Sequence, residues 1–260
     1  MEDATRQALL AALSWQAAMG ADEAILAEPQ RRDVPPPEPT QTQASPRPTL
    51  AVLRPPGGMA VELAAGATSL EELREAMARF EGSPLRETAS QLVFADGVPG
   101  APVMVIGEAP GADEDRIGRP FVGVSGRLMD RMMATIGLSR QTNLYITNIL
   151  PYRPPGNRTP SDAEVALFMP FLHRHIALAR PRLLVLAGGV SAKGLLQTRE
   201  GITRLRGKWQ KFTSSQGEVI PVLPTLHPAY LLRNPLAKRD AWRDLLALQR
   251  RLNDGDNVAI

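Results

Sequence analysis

The chain has 260 residues and not one cysteine. No disulfide can form, and the absence fits a reducing compartment without demanding one. Histidine is scarce, with three in the whole chain, so candidates for imidazole chemistry are few. The first residues, Met1-Glu-Asp-Ala-Thr-Arg, lack the apolar core and basic flank of a secretory leader, and no apolar run approaches bilayer-spanning length. The expectation is a soluble cytoplasmic protein with no membrane contact. No internal repeat is evident.

Net charge is only +3, but it is unevenly spread. Residues 199–251 hold 11 Lys or Arg against 4 Asp or Glu, whereas residues 1–40 hold 3 against 7. A basic C-terminal third suits phosphate neutralisation, which would be salt dependent, or else a solvated helix face. Charge alone does not decide between them.

Three segments are expected: an N-terminal helical extension over residues 1–27, a Pro-rich linker over 28–58, and the main folded domain over 59–260. Residues 7–20 bring Leu9, Leu10, Leu13 and Trp15 together on a short helix. Eight prolines from Pro35 to Pro56 favour extended backbone in the linker. From Ser69, with Glu72 three residues on, a helix should run to about residue 80. Apolar strands and amphipathic helices then alternate: strand 103–107, helix 125–136, strand 143–150, helix 161–179, strand 182–187, helix 188–196, strand 219–224 and helix 236–252. Such alternation gives an α/β fold, a three-layer sandwich whose central, largely parallel sheet is flanked by helices. A domain of this size buries a full core without a covalent staple.

Two strings carry the chemistry. Val-Met-Val-Ile-Gly-Glu-Ala-Pro-Gly, residues 103–111, runs a buried strand into a bent loop that bears carboxylates, and His-Pro-Ala-Tyr-Leu-Leu-Arg, residues 227–233, sets a lone His after another strand. Open α/β sheets keep their ligands at the carboxyl ends of strands. The first string has neither the GxGxxG spacing of a dinucleotide fold nor a Gly-Lys-Ser/Thr phosphate loop, which disfavours a nucleotide-binding protein. With Gly-Arg-Pro-Phe-Val-Gly at 118–123, Ile-Thr-Asn at 146–148 and Arg-Pro-Pro-Gly-Asn-Arg at 153–158, the order and spacing resemble the uracil-DNA glycosylase superfamily. The resemblance is closest to its family 4 and covers roughly residues 70–253.

That resemblance implies an enzyme that flips uracil out of DNA and hydrolyses its N-glycosidic bond, leaving an abasic site for base excision repair. Phe121 would stack on the base, Gly107 and Ala109 would line its pocket, and the Asn148 amide offers a donor and an acceptor that match uracil O4 and N3–H. His227 would meet the negative charge that develops at uracil O2. Glu114 aligns with a water-positioning glutamate and ranks first among the loop carboxylates, followed by Glu108 and Asp115. Ala109 stands where some glycosylases carry a catalytic aspartate. Blander readings stay open beside each: a core aromatic for Phe121, a turn-closing Asn148, a loop-ordering His227, and helix N-terminal carboxylates for Glu114 and Asp115. His173 and His175, two residues apart on a helix, read as structural.

DNA would be held by Ser125 and Gly126 at a helix start, by Pro155, Asn157 and Arg158 in a stiff turn, and by Leu231, Leu232 and Arg233 as a wedge. Family 4 enzymes carry a four-thiolate iron–sulfur cluster, whereas Phe80, Ser83, Tyr152 and Phe168 stand at the matching positions. No metal and no other cofactor is therefore expected. The expected partner is uracil-containing DNA, single- or double-stranded, met by a monomer. A second class is a non-catalytic or product-retaining binder of uracil-containing or abasic DNA, which fails to cleave.

Overall fold

The computed structural model describes residues 56–255; the helix expected over 7–20 and the linker up to residue 55 lie outside the described residues. Six strands form one sheet: β1 (Ala95–Gly97), β2 (Val103–Gly107), β3 (Leu144–Asn148), β4 (Leu183–Ala187), β5 (Gln210–Thr213) and β6 (Val219–Thr225). Their order is β1-β3-β2-β4-β6-β5. The four inner strands are parallel, and the two edge strands pair antiparallel.

Alternation along the inner strands explains the three layers, because successive side chains point to opposite faces. Met104, Ile106, Leu184, Leu186 and Val222 pack on one side with Leu73, Phe168, Phe171 and Ile176. Those partners come from α2 (Leu70–Arg79) and α6 (Asp162–Ala179), and α1 (Pro56–Gly66) lies against α6. Val103, Val105, Leu144, Ile146, Leu183, Val185 and Leu223 face the other way, onto Met129, Met133, Leu245 and Leu248. These belong to α5 (Val124–Ala134) and α10 (Lys238–Asn253). Strands buried on both faces read as continuous apolar runs, which is why they were legible.

Local signals held where they were strong. Ser69 caps α2 by accepting from the Glu72 N–H at 3.1 Å. Ser161 and Glu164 form a reciprocal capping box at the start of α6. Several pieces were missed: α1, α3 (Leu85–Thr88), β1, α4 (Ala112–Ile117), α8 (Ile202–Leu205), β5 and α9 (Pro228–Arg233). The helix α7 (Gly189–Leu196) was expected. Apart from α1, which has 11 residues, the missed pieces have three to six, too few to show a period, and β5 buries only Phe212. The helix α1 begins at Pro56, inside the segment read as linker, because Pro at a helix start needs no N–H partner.

The four positions aligned with thiolates are all buried. Phe80 and Phe168 meet edge to face with centroids 5.9 Å apart, Tyr152 packs on Phe168 at 6.3 Å, and Phe171 completes the cluster 5.3 Å from Phe80. The Tyr152 hydroxyl donates to the Met77 carbonyl, and Ser83 Oγ accepts from the Leu85 N–H. Rings fill this space, and none of the four side chains is a thiolate, so an iron–sulfur cluster does not fit here. Nor do three or more His, Asp or Glu stand together as a metal site among the described residues.

Candidate active site

The carboxyl ends of β2 and β3, together with the loop after β6, surround a cavity of about 420 Å³. Glu108 and Glu114 enter it from the first loop, Asn148 from the end of β3, and His227 from the start of α9. Phe121 forms part of the wall. The sheet thus gathers residues from four distant stretches of chain at the place open α/β folds reserve for ligands.

Phe121 adopts a left-handed backbone, with φ of 54°, a conformation costing a non-glycine residue roughly 1 kcal/mol or more. Its ring lies 5.6 Å from that of His227, tilted by 30°. Two glycines make room for it. A Cβ on Gly107 would stand 2.3 Å from Asn148 Oδ1 and 2.6 Å from the Phe121 ring, and one on Gly126 would stand 1.9 Å from the Phe121 carbonyl oxygen. Neither glycine lines the cavity. Gly107 acts by letting Asn148 and Phe121 approach each other, and Gly126 by admitting the loop carbonyl.

The carboxylates separate by their partners. Glu114 Oε1 accepts from the Val122 and Gly123 N–H groups, each at 2.8 Å, while Oε2 accepts from Gly111 N–H at 3.1 Å. Glu114 therefore ties the two ends of the loop together and caps α4, the helix-terminus reading made physical. Asp115 is absent from the cavity wall; it accepts from Ser90 and Gln91 backbone N–H groups and from the Ser90 hydroxyl. Glu108 lines the cavity, its carboxylate accepts no hydrogen bond among the described residues, and its pKa is pushed up by burial.

His227 is the N-cap of α9, and its Nδ1 accepts from the Ala229 N–H at 3.1 Å. An accepting Nδ1 leaves Nε2 as the protonated nitrogen of a neutral ring. Burial, then the nearby positive charge of Arg233, holds its pKa down at about 4, against a smaller upward pull from Glu114. The ring thus offers one N–H donor without bringing a positive charge.

A family model described as "Uracil DNA glycosylase superfamily" matches residues 94–246. This chain belongs to that superfamily. It is 38% identical over 172 residues to the type-4 uracil-DNA glycosylase of Sulfurisphaera tokodaii, covering 64% of this chain and 77% of the relative. Against the type-4 uracil-DNA glycosylase of Pyrobaculum aerophilum it is 34% identical over 180 residues, 68% and 91% of the two chains. That of Thermotoga maritima is 32% identical over 166 residues, 64% and 84%.

In this superfamily member the residues expected to hold DNA divide. Ser125, Asn157, Arg158 and Arg233 line the cavity, and Pro154 does so in place of the exposed Pro155. The helix start lies at Val124 with Gly123 as N-cap, one residue earlier than expected. Arg158 is engaged with Glu164 by hydrogen bonds of 2.6 and 2.8 Å, which hold the Glu164 carboxyl down at about 2. Leu231 corrects the wedge expectation: it is fully buried with Leu128, Leu226 and Ala241. A helical turn sends it inward and leaves Tyr230 and Leu232 exposed.

Sequence reasoning missed Gly111, Thr159 and Ala229 in the wall, and it missed Arg140 beneath Phe121. It also found no role for residues 203–209. There Arg206 pairs with buried Asp244 on α10, and Asp244 accepts from the Thr225 hydroxyl at 2.7 Å. This brace anchors the strand end two residues before His227. Paired charges far apart in sequence carry no local signal.

Proposed function

We propose that this protein is a DNA glycosylase that excises uracil by hydrolysing its N-glycosidic bond and leaves an abasic site. The observation that carries the mechanism is the neutral His227, whose Nε2–H is the ring's donor in a cavity shared with the Asn148 amide and the Phe121 ring. A uracil turned out of the stack lies against Phe121 and presents O4 and N3–H to Asn148. Cytosine, with an amino group and a bare N3 in those places, leaves buried polar groups unpaired and is rejected.

As the bond from C1′ to uracil N1 lengthens, both electrons leave with the base and spread onto O2, where the His227 N–H stabilises them. The sugar gains positive charge. Water adds at C1′ and passes a proton to a carboxylate, for which Glu108 is the better placed group: its oxygens are free, and burial raises its basicity. Glu114, ranked first by sequence, keeps the loop shape instead, with both oxygens accepting backbone N–H groups. Ala109 in the wall takes no part in proton transfer.

The partner is uracil-containing DNA, single- or double-stranded, and the enzyme acts as a monomer in the cytoplasm. Incubation with a uracil-containing oligonucleotide followed by alkali should cut the strand at uracil and leave a cytosine control whole. Tight binding without scission would establish the non-catalytic binder instead.

A further inference from the structure

Arg140 sits in the loop between α5 and β3, buried, and does not itself line the cavity; it reaches the cavity wall through Phe121. Its guanidinium donates to the Phe121 carbonyl at 2.9 Å and to the Pro120 carbonyl at 3.1 Å. The same group donates to Asp130 on α5 at 2.7 and 3.0 Å and to Asp96 on β1 at 2.6 Å. Two carboxylates on separate elements therefore fix the guanidinium plane, and the plane fixes two successive carbonyls. Glu114 takes the next two N–H groups of the same loop, those of Val122 and Gly123. Four consecutive residues are gripped by two opposite charges, carbonyls by one and amides by the other.

Within this gripped stretch Phe121 has the least favourable backbone conformation, at φ of 54°. Without the grip, its backbone would relax toward the extended or right-handed region and carry the ring with it. The missing Cβ at Gly126 lets the Phe121 carbonyl reach this position. An apolar side chain at position 140 would leave both carbonyls without their donor, and Lys offers no planar fork for two acceptors and two carboxylates at once.

We propose that Arg140 is a positioning residue of the base-excising site: it locks Phe121 in the left-handed conformation that presents the ring to the flipped base. The inference rests on the uracil-excision reading for its kinetic arm and stands apart from it for its structural arm. Arg140→Lys keeps a positive charge beside Asp96 and Asp130 but loses the double hold on the carbonyls. Its single-turnover excision should fall roughly tenfold, and the same change in a Phe121→Ala background should cost less than about twofold, because the group it positions is gone.

The structural arm needs no activity. Protein labelled with 4-fluorophenylalanine at its six phenylalanines gives fluorine resonances among which Phe121 is identified by its loss in Phe121→Ala. In Arg140→Lys the Phe121 resonance should shift or broaden while the other five stay in place. An unchanged Phe121 resonance, or a kinetic loss that persists undiminished without the ring, overturns the proposal. If the wild-type protein releases no uracil, the excision reading falls and the fluorine spectrum still decides on Arg140. Should Arg140→Lys not fold, Asp130→Asn decides by the same spectrum: that side chain is 44% exposed, and its loss frees the guanidinium on one side. A Phe121 resonance unmoved in that variant overturns the proposal equally.

Discussion

In the proposed mechanism His227 acts as an uncharged donor. With its pKa near 4 and Nδ1 taken by the Ala229 N–H, the ring keeps one donor across neutral and mildly acid pH. His227→Ala should slow single-turnover excision by about a hundredfold or more, as removal of an oxyanion donor does elsewhere, with little change in binding to uracil-containing DNA. Near wild-type cleavage in that variant would remove His227 from the site. Glu108 and Glu114 separate by a different pair of measurements. Glu108→Gln should cut the excision rate and leave thermal stability unchanged. Glu114→Ala should lower stability by roughly 2 kcal/mol or more, since the Gly111, Val122 and Gly123 N–H groups lose their acceptor. Because the carboxyl of Glu108 is raised, excision should fall as pH drops through its titration, and the fall should vanish in Glu108→Gln.

At the scale of elements, α9 separates neighbours that look alike in sequence. Leu231 faces Leu128 and Ala241, so Leu231→Ala should destabilise the fold by roughly 2–5 kcal/mol in a denaturant titration. Leu232, 39% exposed, should tolerate alanine without loss of stability. If Leu232 is the wedge, the same variant should weaken base flipping, read with a fluorescent base analogue beside the uracil. Retention of flipping in Leu232→Ala would assign the wedge to Tyr230. On the opposite face of the sheet, α2, α6 and the segment around Tyr152 meet through Phe80, Phe168 and Phe171. Phe168→Ala should lower stability by about 3 kcal/mol, and a neutral outcome would show that the ring cluster is not the staple of this face.

The whole molecule couples folding to pH through its buried imidazoles. His175 is completely enclosed, with Phe94 stacked at 4.4 Å and the Tyr145 hydroxyl 2.9 Å from Nε2, and burial holds its pKa down at about 3 against an ordinary 6.5. The unfolded chain takes up a proton between those values that the folded chain refuses. Stability is therefore complete above pH 6.5 and is lost as pH falls toward 3, with His227 adding the same sign. Melting temperatures measured from pH 7 to pH 5 should decline, and His175→Gln should flatten the slope while lowering the plateau.

The sequence by itself determined the layers and the order of the chemistry. Largely apolar stretches at 103–107, 143–150 and 182–187, alternating with helix patterns, fit strands covered on both faces, and Ser161 followed by Glu164 marks a helix start. Motif spacing was enough to name His227, Asn148, Phe121, Glu114 and Glu108 as candidates, which the fold brings to one cavity. It could not say that Glu114 is spent on backbone N–H groups, that Asp115 answers Ser90 about 25 positions away, or that Leu231 turns inward. Nor could it find Arg140, whose acceptors lie on Pro120 and Phe121 and on Asp96 and Asp130. Periodicity reports which face of an element is buried. Which donor meets which acceptor depends on how elements distant in sequence are packed, and only the tertiary structure decides that.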